Sequence, residues 1–254
     1  MFTAHLTFIG IDPTAGQRPI TYAAMDSGLR LLALGEGDFN EVLAFVGGQS
    51  EAIVAVNGPQ RPSQGLMERD EVRVRLSPAP RPGRWGGFRV VEYLLRQKRI
   101  NCPKTPDREE DAPAWMQRSF ALYRRLEQMG FQAYPNDGPL RWLEVYPHAA
   151  FSIWLERTPF PKLTLEGRLQ RQLVLYDHEL NIHDPMEFFE EVTRHRLRHG
   201  ILPQEKLYTP SELDAMTAAY LAWLAGNQQD SLMLLGDPEE GQVALPAVEL
   251  KVRY

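Results

Sequence analysis

Apolar residues along this chain of 254 residues fall into strand-like and helix-like rhythms. Leu6-Thr7-Phe8-Ile9-Gly10-Ile11-Asp12 is apolar, β-branched and aromatic, and the turn-formers Pro13-Thr14-Ala15-Gly16 close it, so it predicts a strand. Residues 20–25 and 29–34 are two strand-like runs around Asp26-Ser27-Gly28, which predicts a hairpin. Residues 39–46 predict a helix stopped by Gly47-Gly48. Ala52-Ile53-Val54-Ala55-Val56 is continuously apolar, as expected of a strand buried on both faces. Asn57-Gly58-Pro59 ends it. The order is strand, strand, strand, helix, strand, with the helix crossing over to a parallel neighbour.

The rhythm breaks between residues 61 and 108, where Pro62, Pro78, Pro80, Pro82, Pro103 and Pro106 interrupt regular structure. Residues 114–130 then predict an amphipathic helix, with Trp115, Phe120, Leu122 and Leu126 near helical spacing. Residues 131–134 and 141–147 read as strands, and 184–199 as a helix carrying Met186, Phe188, Phe189, Val192 and Leu197. Thr209-Pro210-Ser211-Glu212 is a capping box with proline at the first helical position. The helix it opens runs to Gly226, and residues 231–246 form a closing hairpin around Gly236-Asp237-Pro238-Glu239-Glu240-Gly241.

Composition narrows the class. The chain is 43% hydrophobic and 24% charged, an ordinary globular profile. Its single cysteine, Cys102, excludes an intrachain disulfide and a multi-cysteine metal site. No apolar stretch approaches the ~18 residues of a membrane span, and the N-terminus lacks a basic then apolar leader. A cytoplasmic protein with no membrane partner is the expectation.

Charge is unevenly spread. Twelve basic against five acidic side chains leave +7 on residues 61–108, in a chain of net charge -5. The segment is either a solvated face or a basic surface for a polyanion. In the second reading Arg73, Arg75, Arg84 and Arg89 contact a nucleic-acid backbone, and Trp85 and Phe88 stack on bases.

Three acids recur in apolar settings: Asp12 at the end of the first strand, Glu144 between Leu143 and Val145, and Asp214 in the first turn of the capped helix. Each has a plain alternative: a turn aspartate before Pro13, a solvent-facing strand residue, an acid favoured by the helix macrodipole. Together they are carboxylates from separate elements that suit Mg²⁺ or Mn²⁺ if they converge, and such clusters serve in-line phosphodiester hydrolysis.

Histidines offer a competing site. Asp177-His178 lies close to His183-Asp184, and His195 and His199 stand four residues apart among arginines. His148 reads as a general acid or base near Glu144, or as a surface histidine. There is no phosphate-binding Gly-x-x-x-x-Gly-Lys-Ser/Thr loop, no dinucleotide fingerprint and no Gly-x-Ser-x-Gly elbow.

The ordered segments Phe8-Ile9-Gly10-Ile11-Asp12, Ala55-Val56-Asn57-Gly58-Pro59, Glu144-Val145-Tyr146-Pro147, residues 212–220 and Gly241-Gln242-Val243-Ala244-Leu245-Pro246 resemble the motifs of domain-of-unknown-function family 429. That family is regarded as predicted nucleases of the ribonuclease H-like superfamily. The resemblance implies an α/β, ribonuclease H-like fold: a five-stranded mixed sheet with helices on both faces. Residues 1–254 then form one domain, with a basic insertion near 61–108 and a helical insertion near 155–205. It implies a Mg²⁺- or Mn²⁺-dependent nuclease with catalytic Asp12, Glu144 and Asp214, which with Asn57 surround the metal. Where the family pattern has an aspartate before Ala-Pro or Gly-Pro, this chain has Asn57. Asn57 offers a carbonyl oxygen without charge. The departure leaves open a non-catalytic nucleic-acid or protein-binding module on the same fold.

Overall fold

The computed structural model describes residues 6–14, 18–81 and 83–254. Ala15, Gly16 and Pro82, read above as turn-formers or breakers, lie outside the described residues. The strands are β1 (Thr7–Asp12), β2 (Ile20–Met25), β3 (Leu31–Gly37), β4 (Ala52–Asn57), β5 (Gln132–Ala133), β6 (Leu140–Val145), β7 (Leu232–Asp237) and β8 (Gly241–Pro246). The helices are α1 (Phe39–Gly47), α2 (Asp70–Arg73), α3 (Val90–Gln97), α4 (Ala114–Gln128), α5 (Pro147–Trp154), α6 (Leu165–Asp177), α7 (Glu187–Glu191), α8 (Arg194–Arg198) and α9 (Pro210–Asn227).

The strands form one mixed sheet in the order β3-β2-β1-β4-β6-β8-β7, with β5 on β6. β1, β4, β6 and β8 run parallel; β2, β3 and β7 run antiparallel to their neighbours. The sheet therefore has eight strands among the described residues, not five. The closing hairpin joins the main sheet, because β8 pairs β6 at Glu144↔Val243 and Val145↔Ala244.

Strand alternation divides the core in two. Phe8 and, from β4, Ile53 and Ala55 pack with α9, α5 and α6. Ile9, Ile11, Val54, Val56 and Trp142 pack with α1 and α4 on the opposite face. Helix α9 starts where expected: Thr209 Oγ1 accepts from Glu212 N at 3.2 Å, and Glu212 Oε2 accepts from Thr209 N at 2.6 Å. It then lies across β1, β2 and β4. Gly10 permits this approach, since a Cβ there would stand 2.0 Å from the Ala215 carbonyl oxygen.

Two other expectations change. The helix expected over 184–199 is two short ones, α7 and α8. Val192 is extended, and the Thr193 hydroxyl caps α8 by accepting from Arg196 N at 3.2 Å. The strand expected over 141–147 ends at Val145, because Pro147 opens α5 as its first helical residue. Among the described residues, no helix is long and apolar enough to cross a membrane.

Candidate active site

Asp12 is the last residue of β1 and lies on the α9 face, two residues on from Gly10. Asn57 ends the parallel neighbour β4, one residue beyond the Ile11↔Val56 pair, and shares that face with Ala55. Asn57 Nδ2 donates to Asp12 Oδ1 at 3.1 Å. Across β2 the same row continues through Thr21 and Glu36, paired in register with Asp12 and with each other. Thr21 is fully buried, and its hydroxyl finds no partner among the described residues. A polar row thus crosses four strands at one edge of the sheet.

Helix α9 brings Asp214 over this row. Asp12, Asn57 and Asp214 line one cavity of about 780 Å³, together with Glu36, Tyr146, His148, Lys162, Arg171 and Ser211. Asp12 and Asp214 are only 7% and 4% exposed, a costly setting for two carboxylates. Burial first, and then the Asp214 charge, raise the Asp12 pKa to about 6. Lys162 and hydrogen bonds from Ser211 and Asn57 pull the other way. Lys162 Nζ stands 2.7 Å from Asp214 Oδ2, and that carboxylate raises the lysine's pKa. Burial, then the Arg171 charge, lower the pKa of His148 and favour its neutral imidazole. Arg171 is buried, and donates to the Phe160 and Gly167 carbonyls at 2.8 and 2.9 Å.

Glu144 does not join them. It shares its face of the sheet with Trp142, two residues earlier on β6, opposite to the face of Asp12 and Asn57. There Arg89 grips both carboxylate oxygens, with Nη1 at 3.0 Å from Oε2 and Nη2 on Oε1. Gln60 N adds a bond of 3.1 Å to Oε2. Arg89 also approaches Glu92, Nε to Oε1, at 3.4 Å. Glu144 is thus spent on a buried ion pair that ties the basic segment to the sheet.

The same pair corrects the nucleic-acid reading of Arg89, which is 2% exposed and has no surface to offer. Arg73 is bound to Asp70 and to the Met67 carbonyl. Arg75 and Arg84 are exposed. Trp85 meets Phe88 and Tyr93 edge-on at 5.0 and 5.3 Å and packs on the small core of Leu66 and Met67. Its ring is scaffold first.

The histidine pairs also disperse. His178 lies against Trp154 and Tyr220, and His183 stacks on Tyr208. His195 and His199 are exposed with ring centroids 4.2 Å apart, and His199 Nδ1 is 2.8 Å from the His195 carbonyl. His148 lies in the Asp12 cavity rather than beside Glu144. Among the described residues, no group of three or more His, Cys, Asp or Glu side chains is arranged to hold a metal ion. Cys102 is a buried free thiol whose pKa burial pushes up, as befits an inert structural residue.

Sequence reasoning missed Lys162, Ser211, Arg171 and Glu36. Ser211 lies inside the capping box, but at a position that the box leaves unassigned. Lys162 stands alone between Pro161 and Leu163 in an irregular stretch, with no local signal.

Residues 10–240 match the family described as "Protein of unknown function (DUF429)". The chain belongs to the DUF429 family. The matched region spans β1 from Gly10 to Glu240 at the β7–β8 turn, so it contains every residue of the cavity described above. No curated protein and no solved structure matches the chain.

Proposed function

We propose that this DUF429 protein is a nuclease of ribonuclease H-like architecture that hydrolyses phosphodiester bonds with one divalent metal ion. The observation that carries the reading is the Asp12–Asp214 pair, held in one cavity at the edge where β1 and β4 end. Ligands of open α/β sheets gather at the carboxyl ends of parallel strands. The raised pKa of Asp12 fits a site completed by a cation.

The donor set fits Mg²⁺ or Mn²⁺: two carboxylates and the amide oxygen of Asn57 are hard ligands, and such ions keep several waters. It supports one ion rather than two, because Asn57 brings no charge and Glu144 is committed to Arg89. When bound, such an ion supplies Lewis acidity towards a phosphoryl oxygen and lowers the pKa of a water. Asp12 and Asp214 would hold it. Asn57 orients the Asp12 carboxylate through its hydrogen bond, and the Ser211 side chain in the same cavity helps to keep that acid ionised. His148, kept neutral, can accept a proton within the cavity. Lys162 and Arg171 add positive charge towards a phosphate. The exposed Arg75 and Arg84 offer the nucleic-acid backbone a contact outside the cavity.

The test is cleavage by the full chain, with Mn²⁺, of single-stranded, duplex and branched DNA and RNA. Cleavage is expected, and is expected to vanish with chelator, with Asp12→Asn and with Asp214→Asn. Asn57 and the sequestered Glu144 favour a second reading, a non-catalytic nucleic-acid or protein-binding module. Salt-sensitive binding that is weakened by Arg75→Ala and Arg84→Ala, without cleavage, would select that reading.

A further inference from the structure

Lys162 occupies a place that a site for a divalent cation would keep for its ion. Its ammonium is 2.7 Å from Asp214 Oδ2 and also acts on Asp12 through its charge. The two partners are unequal. The Asp214 side chain is 6% exposed, whereas that of Lys162 is 50% exposed. The acid is fixed inside, and the ammonium approaches from the open side of the cavity.

The backbone that carries Lys162 is pinned on both sides. The Phe160 carbonyl accepts from Arg171 at 2.8 Å, and Phe160 N donates to Gln170 Oε1 at 2.8 Å. The Pro161 carbonyl accepts from Thr164 N at 3.1 Å and from Thr164 Oγ1 at 2.9 Å. Gly167 packs so close to this turn that a Cβ would meet the Pro161 oxygen at 1.9 Å. The flexible four-carbon stem is the movable part, and lysine's compact charge suits such a role better than arginine's rigid fork. Arg171 cannot substitute for it, since its guanidinium is buried and bound to backbone carbonyls.

We propose that Lys162 is the resident counter-ion of the Asp12–Asp214 pair, displaced through a rotamer change when a divalent cation binds. The proposal rests on the reading of this pair as a metal site. An ammonium tethered at a fixed distance competes at high effective concentration. One positive charge offsets one carboxylate; a divalent ion offsets both. Monovalent ions therefore gain nothing by replacing the lysine, and the site is biased towards divalent ions. The cost is a lower affinity than the bare carboxylate pair would give.

The test is Mn²⁺ binding to the full chain without nucleic acid, by calorimetry and by the electron paramagnetic resonance of free Mn²⁺. Lys162→Met is expected to bind Mn²⁺ about tenfold more tightly than the wild type, a difference of about 1.4 kcal/mol. Lys162→Arg, which keeps the charge but holds the carboxylate with a rigid fork, is expected to bind Mn²⁺ no more tightly than the wild type. Equal or weaker binding by a folded Lys162→Met protein overturns the proposal and leaves the metal-site reading standing. No binding by either protein overturns both. A second measurement needs no variant: acylation of lysines by an amine-reactive reagent, read by mass spectrometry, with and without saturating Mg²⁺. Labelling of Lys162 is expected to rise severalfold with Mg²⁺, while exposed Lys251 stays constant. An unchanged Lys162 signal at confirmed Mg²⁺ saturation overturns the proposal.

Discussion

Asn57 donates a hydrogen bond of 3.1 Å from Nδ2 to Asp12 Oδ1, across the parallel pair β1–β4. The amide satisfies a buried acid at a position where a second acid would repel it. Asn57→Asp removes that donor and adds a charge. In chelator it is expected to lower stability by about 1–3 kcal/mol, the usual cost of a buried polar group losing its partner. Saturating Mn²⁺ is expected to restore the loss, because the new carboxylate becomes a ligand. Urea unfolding in chelator and in Mn²⁺ measures both arms. A variant no less stable in chelator would mean that Asp12 does not feel the added charge.

Arg89 and Glu144 are each about 3% exposed on their side chains, so removing one leaves a bare buried charge. Arg89→Met is expected to destabilise by about 3–5 kcal/mol. The double variant Arg89→Met/Glu144→Leu is expected to recover part of that loss, because Glu144 no longer needs a partner while buried Glu92 still loses Arg89. Denaturant titration of the single and double variants checks this. Glu144→Gln is further expected to leave Mn²⁺ affinity unchanged, because the acid lies on the opposite face of the sheet from Asp12. Loss of Mn²⁺ binding in a folded Glu144→Gln protein would return Glu144 to the metal site.

Gly10 sets the distance between β1 and α9. A Cβ there would meet Ala215 O at 2.0 Å and Ala219 N at 2.3 Å, both backbone atoms. Gly10→Ala must push the helix away, and a cost at or above the upper end of the ~1–3 kcal/mol typical of overpacking is expected. Because α9 carries Asp214, Mn²⁺ affinity should fall in the same variant. Thermal unfolding and calorimetry report the two effects separately.

His178 gives the fold a dependence on pH. Its ring lies against Trp154 and Tyr220, with Nδ1 3.4 Å from the tyrosine hydroxyl. Burial lowers its pKa below the ordinary value of 6.5, with Asp177 partly opposing. For a histidine lowered in the fold, the unfolded chain binds the proton more readily. The stability it contributes is therefore fully present above pH 6.5 and is lost as pH falls below that value. His178→Gln is expected to flatten the fall in stability from pH 7 to pH 5, read by urea unfolding at each pH. A slope equal to that of the wild type would assign the dependence to other groups.

Much of the local structure was legible in the sequence because short-range causes set it. The Thr209-Pro210-Ser211-Glu212 box starts α9, and the apolar run 52–56 makes a strand covered on both faces. Asp12 was marked by its place at the end of β1, and Asp214 by its apolar neighbours Leu213, Ala215 and Met216, although α9 starts at Pro210 and puts Asp214 just past the first turn, where Glu212 is the acid. Their shared cavity needed the close seat of α9 on Gly10. The break at Thr193 was hidden because apolar periodicity continued across it while a side-chain cap interrupted the backbone.

The sequence by itself determined most of the strands and helices, among them β1 ending on Asp12, β4 and the start of α9. Only the tertiary structure decided which acids meet. Glu144 has the apolar neighbours of a site residue, yet the register Val56↔Glu144 places it beside Val56, not Asn57, and so on the α1/α4 face. Arg89 lies 55 residues from Glu144 in the chain, and Lys162 lies 52 from Asp214. Spacing along a chain encodes contacts one helical turn or one strand step away. Partners this distant are chosen by sheet register and by which charges share a buried volume, and those are properties of the assembled fold.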